Sequence, residues 1–114
     1  MDPSVDLVTA ENYDLQFGVN CLAPFFLTKL LLPTLIATAK TRPTKKVRII
    51  NTSSWAHLQA KGIDFDTLKD GSRRKMMKTR ALYAQSKFVR VNIHSCIPSY
   101  KINLGFHPIL TRAR

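Results

Sequence analysis

Apolar residues crowd the stretch from Tyr13 to Ile36, where Phe17, Leu22, Phe25, Phe26, Leu30, Leu31 and Leu35 recur at helical spacing and at adjacent positions too. This pattern predicts one long helix from Ala10 to about Ala39, with Thr9 as its N-cap and Glu11 in its first turn. A helix that is apolar nearly all round is buried on most sides or packs against a partner subunit. Pro24 lacks a backbone N–H, so a kink or a break is expected near Ala23. A bilayer span needs roughly 20 consecutive apolar residues. Pro24, Lys29 and Pro33 interrupt this run, and no membrane span is read from it.

Beyond a basic turn at Thr41–Lys46, the run Val47-Arg-Ile-Ile-Asn51 predicts a short strand of the kind buried in a parallel sheet. Thr52-Ser53-Ser54 stands at its C-terminal end, where open α/β sheets place their ligands. Ala60 to Arg73 is polar and irregular. A second helix is expected to begin between Arg74 and Lys78 and to run through Tyr83 and Lys87 as far as Val91. Val89 to Arg114 shows no period of 3.6 or 2, and Pro98, Gly105 and Pro108 break it up, so an irregular tail is expected there. The order helix, strand, loop, helix implies an α/β fragment with a parallel sheet. A single strand is not a sheet, so its neighbours lie outside this sequence or one is hidden in 89–114.

The chain has 114 residues, 45% of them hydrophobic, which is a globular composition with room for one small core. Cys21 and Cys96 are too few for a disulfide framework and fit a reduced, intracellular and cytoplasmic setting. Met1–Glu11 is acidic and lacks the apolar run of a signal peptide. The net charge is +11, and from Gly71 onward there are ten Lys/Arg and no acid. Such asymmetry can mark a nucleic-acid partner. Lys45-Lys46 and Arg73-Arg74-Lys75 come with no recognition motif, so no nucleic acid is expected. His57, His94, His107 and Cys96 make no zinc spacing.

Tyr83 and Lys87 stand i, i+4 and share one helix face. A free phenol titrates near ~10, too high for proton exchange at neutral pH, and a neighbouring ammonium favours the phenolate. Such a pair can pass a proton to or from a carbonyl or alcohol oxygen. Ser54 could hydrogen-bond the same oxygen. The spacing alone is common on solvated helix faces, and Ser53-Ser54 alone reads as a turn.

Three segments in order change that weighting: Asn12-Tyr-Asp-Leu-Gln-Phe-Gly-Val-Asn20 continuing to Pro33, Val47-Arg-Ile-Ile-Asn-Thr-Ser-Ser54, and Tyr83-Ala-Gln-Ser-Lys87. Together they resemble the short-chain dehydrogenase/reductase family, most closely its retinol-dehydrogenase-like members, over about residues 1–88. Ile63-Asp-Phe-Asp-Thr-Leu-Lys-Asp70 resembles the loop before the active-site helix in that subgroup. The resemblance implies a partial Rossmann-like, doubly wound α/β domain with two main helices and at least one buried strand. It implies Tyr83 as catalytic acid/base and Lys87 as the residue that binds the nicotinamide ribose and favours the phenolate. It further implies Ser54 as the group orienting the substrate carbonyl and Asn20 as the support of a proton-relay water. NADP or NAD would be the cofactor and a small carbonyl or alcohol compound the substrate, with dimerisation through the 10–39 and 78–88 helices.

Two departures from the family pattern set further expectations. The only glycines are Gly18, Gly62, Gly71 and Gly105, and none forms the family's Thr-Gly-x-x-x-Gly-x-Gly turn; Asn-Asn-Ala-Gly is absent too. After Phe88 the family's continuation is lost, and Ile109 follows His107-Pro108 where a glycine is expected. The chain thus reads as the central part of such a domain at 1–88 with an aberrant tail at 89–114, inactive by itself.

Overall fold

The computed structural model describes residues 3–41, 47–92 and, for the backbone, 105–111. Most of the basic turn at 41–46, together with His94 and Cys96, falls outside them.

The long helix starts later than its apolar pattern implied. Asp14, not Thr9, is the N-cap, and its Oδ1 accepts from the Phe17 N–H at 2.9 Å. Residues 9–13 instead form a tight turn in which Asn12 takes φ 62°, a left-handed conformation that a continuing helix excludes. Thr9 still serves that turn: its Oγ1 accepts from the Tyr13 N–H at 3.2 Å. Helical structure then runs as α1 (Leu15–Phe17), a π-turn (Gly18–Leu22) and α2 (Ala23–Thr41). The Ala23 N–H reaches back five residues to the Gly18 carbonyl. Pro24 is thus accommodated by one widened turn just before it, the usual form of a local helix defect.

Along α2 the side chains stand mostly in the open: Phe26 is 60% exposed and Leu30 61%. The whole Leu15–Thr41 helix is long and apolar enough to cross a membrane, a test that core helices of soluble proteins also pass.

The first strand, β1 (Arg48–Ser54), extends to the serines that the sequence pattern left outside it. Its burial is the reverse of expectation. Ile50 is 55% exposed, whereas Asn51, Ser53 and Ser54 are buried. The expected buried apolar strand is therefore buried only at its polar C-terminal end, because the helix that covers it crosses there. A second strand, β2 (Gly105–Thr111), lies parallel to β1, with Arg48 opposite Gly105 and Ser54 opposite Thr111. The tail expected to be irregular thus supplies a strand. Gly105 and Pro108 hid it, since proline breaks a ladder and is tolerated in edge strands.

Between the strands lie two 3₁₀ turns, Trp55–Gln59 and Phe65–Thr67, then α3 (Ser72–Lys75) and α4 (Thr79–Asn92). A parallel pair requires such a crossover. α4 packs against β1, the π-turn and the first 3₁₀ turn, and it runs four residues past Phe88. Arg74 fixes the near end of this layer. It is fully buried, donates to the Val5 carbonyl, and pairs with Asp14 Oδ2 at 3.3 Å and Asp70 Oδ1 at 2.8 Å. Gln16 reaches α4 as well, donating to the Thr79 carbonyl at 2.9 Å. Among the described residues the buried apolar side chains are few, Cys21, Leu82 and Ala84, and the seam around α4 is filled chiefly by polar groups.

Candidate active site

Helical geometry sets Tyr83 and Lys87 one turn apart on α4. The Lys87 Nζ lies 5.5 Å from the centre of the Tyr83 ring, over its face, in cation–π range. Lys87 is 9% exposed. Burial first, and then the nearby Arg90 cation, hold its pKa below the ordinary lysine value. Among the described residues Lys87 has no carboxylate within ion-pair distance. An ammonium without a counter-anion keeps N–H donors available to an outside acceptor.

The other elements are tied to this face by hydrogen bonds. Asn20, in the π-turn, donates through Nδ2 to Ser86 Oγ at 2.9 Å, and Ser86 Oγ donates to the Tyr83 carbonyl at 2.8 Å. The neighbouring Cys21 Sγ donates to the Ser86 carbonyl at 3.0 Å. Burial pushes the Cys21 thiol up to about 12, so it is a packed donor and no nucleophile. From β1, Ser53 Oγ donates to the Lys87 carbonyl at 3.4 Å. Ser54, 2% exposed, accepts from the Ala56 N–H at 3.3 Å and so caps the first 3₁₀ turn. His57 returns to the same residue, its Nδ1 donating to the Ser54 carbonyl at 2.7 Å.

Asn20, Tyr83 and Lys87 are therefore brought together, with Ser86 as the link. Ser54 stands at the adjoining strand end, anchored through Ser53; its hydroxyl and that of Tyr83 share no hydrogen bond among the described residues. Ser86 and Arg90 went unread in the sequence. Ser86 lies inside the Tyr83–Lys87 motif, and its inward position was available from helical spacing. Arg90 carried no signal, because it sits beyond the point where the pattern departs from the family. No cluster of three His, Cys, Asp or Glu suited to a metal occurs among the described residues.

Known proteins share these segments. The chain is 45% identical over 83 residues to a short-chain dehydrogenase/reductase of Armillaria gallica, covering 73% of this chain and 26% of that protein. Human retinol dehydrogenase 13 is 46% identical over 83 residues, or 73% of this chain and 22% of that one. An uncharacterized oxidoreductase of Schizosaccharomyces pombe is 39% identical over 93 residues, or 80% and 26%. This chain belongs to the short-chain dehydrogenase/reductase family. No family profile matches it, and no solved structure does. The chain spans about a quarter of the length of the curated relatives it matches. As a short-chain dehydrogenase/reductase sequence it has homologues that are oxidoreductases, and NAD(P) use is a trait of that family. The Lys87 ammonium, with no carboxylate partner among the described residues, has the donor chemistry to meet a hydroxyl-bearing ligand. No glycine-rich turn in these 114 residues fits the pyrophosphate end.

Proposed function

We propose that this chain supplies the proton-handling part of an NAD(P)-dependent oxidoreductase acting on a small carbonyl or alcohol compound. The observation that carries the reading is the Lys87 ammonium over the Tyr83 ring, with no carboxylate within ion-pair distance among the described residues, in a chain of this family. Residues 1–88 are the central part of a doubly wound domain, and the parallel β1–β2 pair is consistent with that architecture.

In this reading Tyr83 gives its hydroxyl proton to the carbonyl oxygen during reduction and takes it back during oxidation. Lys87 offers its N–H donors to the nicotinamide ribose. Ser54, held at the strand end by its cap, donates to the substrate oxygen and fixes its direction. Asn20 holds the π-turn against Ser86, one residue from Lys87, where a relay water would sit. A bound nicotinamide supplies or accepts the hydride at the substrate carbon. The pyrophosphate grip lies outside these 114 residues, so the chain by itself is inactive. The buried, unpaired Cys21 is consistent with a reduced intracellular setting.

A second reading, a non-catalytic interaction fragment, is favoured by the exposed Phe26, Leu27 and Leu30 on α2. That face would pair with another family member, and α4 would join it in a dimer. Co-purification with a full-length relative tests it.

The catalytic reading is tested by grafting the 83 matched residues of this chain into human retinol dehydrogenase 13 in place of their counterparts. NAD(P)H-dependent carbonyl reduction is expected in the graft, and Tyr83→Phe is expected to lower its kcat by about 10²- to 10⁴-fold. A Tyr83→Phe graft that keeps full activity would overturn the assignment.

A further inference from the structure

Arg90 lies one turn beyond Lys87 on α4 and is half-buried, although nothing in its sequence surroundings marks it. Its Nη1 donates to the Asn20 carbonyl at 2.6 Å, and its Nη2 to Asn51 Oδ1 at 3.3 Å. The Asn20 carbonyl is a special acceptor. Its α-helical donor would be the N–H of residue 24, and Pro24 has none. The π-turn and the proline together turn this oxygen toward a donor from outside the helix.

The bond is short and charge-assisted, the stronger class of hydrogen bond. It lines a cavity of about 10 Å³ beside Cys21 and Phe25, with room for no more than about one water molecule.

We propose that Arg90 is a positioning residue for the Tyr83–Lys87 pair: its guanidinium bonds the Asn20 carbonyl and the Asn51 side chain together, clamps the π-turn and β1 to α4, and sets a second cation one turn beyond Lys87. Its bearing on catalysis rests on the proposed roles of Tyr83 and Lys87; the clamp itself does not. The groups that act on Lys87 are the Tyr83 ring and Arg90 on its own helix and the Cys21 thiol from the π-turn. Burial opposes protonation of Lys87 most, and Arg90 reinforces it.

The test is an NMR titration of the Lys87 side chain in the 114-residue chain, labelled at lysine, without cofactor or substrate. Arg90→Gln removes the charge, Arg90→Lys keeps it without the two-pronged bond, and Asn51→Ala deletes one contact and keeps Arg90. Arg90→Gln is expected to shift the Lys87 titration upward toward the ordinary lysine value, while Arg90→Lys and Asn51→Ala leave it low. All three are expected to lower the urea midpoint. An unchanged Lys87 titration in Arg90→Gln, with or without lost stability, would overturn the proposal, leaving a structural contact. If Arg90→Gln does not fold, Arg90→Lys and Asn51→Ala carry the test of the clamp, since unchanged urea midpoints in both would overturn it. The result is independent of the graft: an active Tyr83→Phe graft removes the catalytic reading and leaves the Lys87 titration to report on Arg90.

Discussion

Cys21 shows how an inert residue can sit beside a candidate site. At 2% exposure, with its thiol donating to the Ser86 carbonyl, it keeps its proton to about pH 12 instead of 9.0. At a given pH this leaves about a thousand-fold less thiolate to react. In a Cys96→Ser background, iodoacetamide at neutral pH is expected to spare Cys21 until urea unfolds the chain. Rapid labelling in the absence of urea would contradict that packing. The sign of the pH effect follows from the same shift. Because folding raises this pKa, the stability linked to the thiol is fully present below 9.0 and is lost as pH rises toward 12.

Single residues were unequally legible for physical reasons. Tyr83, Lys87, Asn20 and Ser54 stand in motifs whose order identifies a family, so their neighbourhood was readable before any coordinates. Arg90 was not. Its importance comes from a carbonyl made available by Pro24, sixty-six residues earlier in the chain, and only tertiary contact reveals that.

At the scale of elements, the helix start turned on one residue, Asn12. Apolar spacing is blind to a positive φ, so the pattern ran the helix back to Ala10, whereas the chain turns at Asn12 and begins again under the Asp14 cap. The π-turn that follows is packed tightly against that turn. A Cβ added at Gly18 would lie 2.3 Å from Thr9 Cγ2. Gly18→Ala is therefore expected to cost about 1–3 kcal/mol, as overpacking does. Thr9→Ser removes that methyl and keeps the hydroxyl that accepts from Tyr13, so the double variant is expected to regain most of the loss in urea unfolding. No recovery would place the strain elsewhere.

Arg74 holds the other end of the same layer. Arg74→Met strands the Asp14 carboxylate, 4% exposed, without its cation. The expected cost is about 3–5 kcal/mol, the range for a buried pair broken on one side. Asp14→Asn in the same background keeps an N-cap and removes the stranded charge, and is expected to restore part of it. Equal urea midpoints for Arg74→Met and the unsubstituted chain would show that the pair carries no stability.

Taken whole, the chain concentrates its buried groups where chemistry would occur and leaves its apolar surfaces open. Ile50 on β1 and Phe26, Leu27 and Leu30 on α2 are exposed, while Ser53, Ser54, Ser86 and Lys87 are enclosed. The α/β order was legible from hydrophobic period. The burial of β1 was not, since a strand's cover comes from elements that its own residues do not encode. The second strand was missed because Gly105 and Pro108 resemble punctuation in a one-dimensional reading.

The central claim is a division of labour: proton handling within these 114 residues, the grip on the cofactor's phosphates outside them. Calorimetric titration of NADPH into the 114-residue chain, run beside the retinol dehydrogenase 13 graft, tests it most directly. The graft is expected to bind, and the chain is expected to give no binding at millimolar concentration. Millimolar or tighter binding by the 114-residue chain would contradict the account.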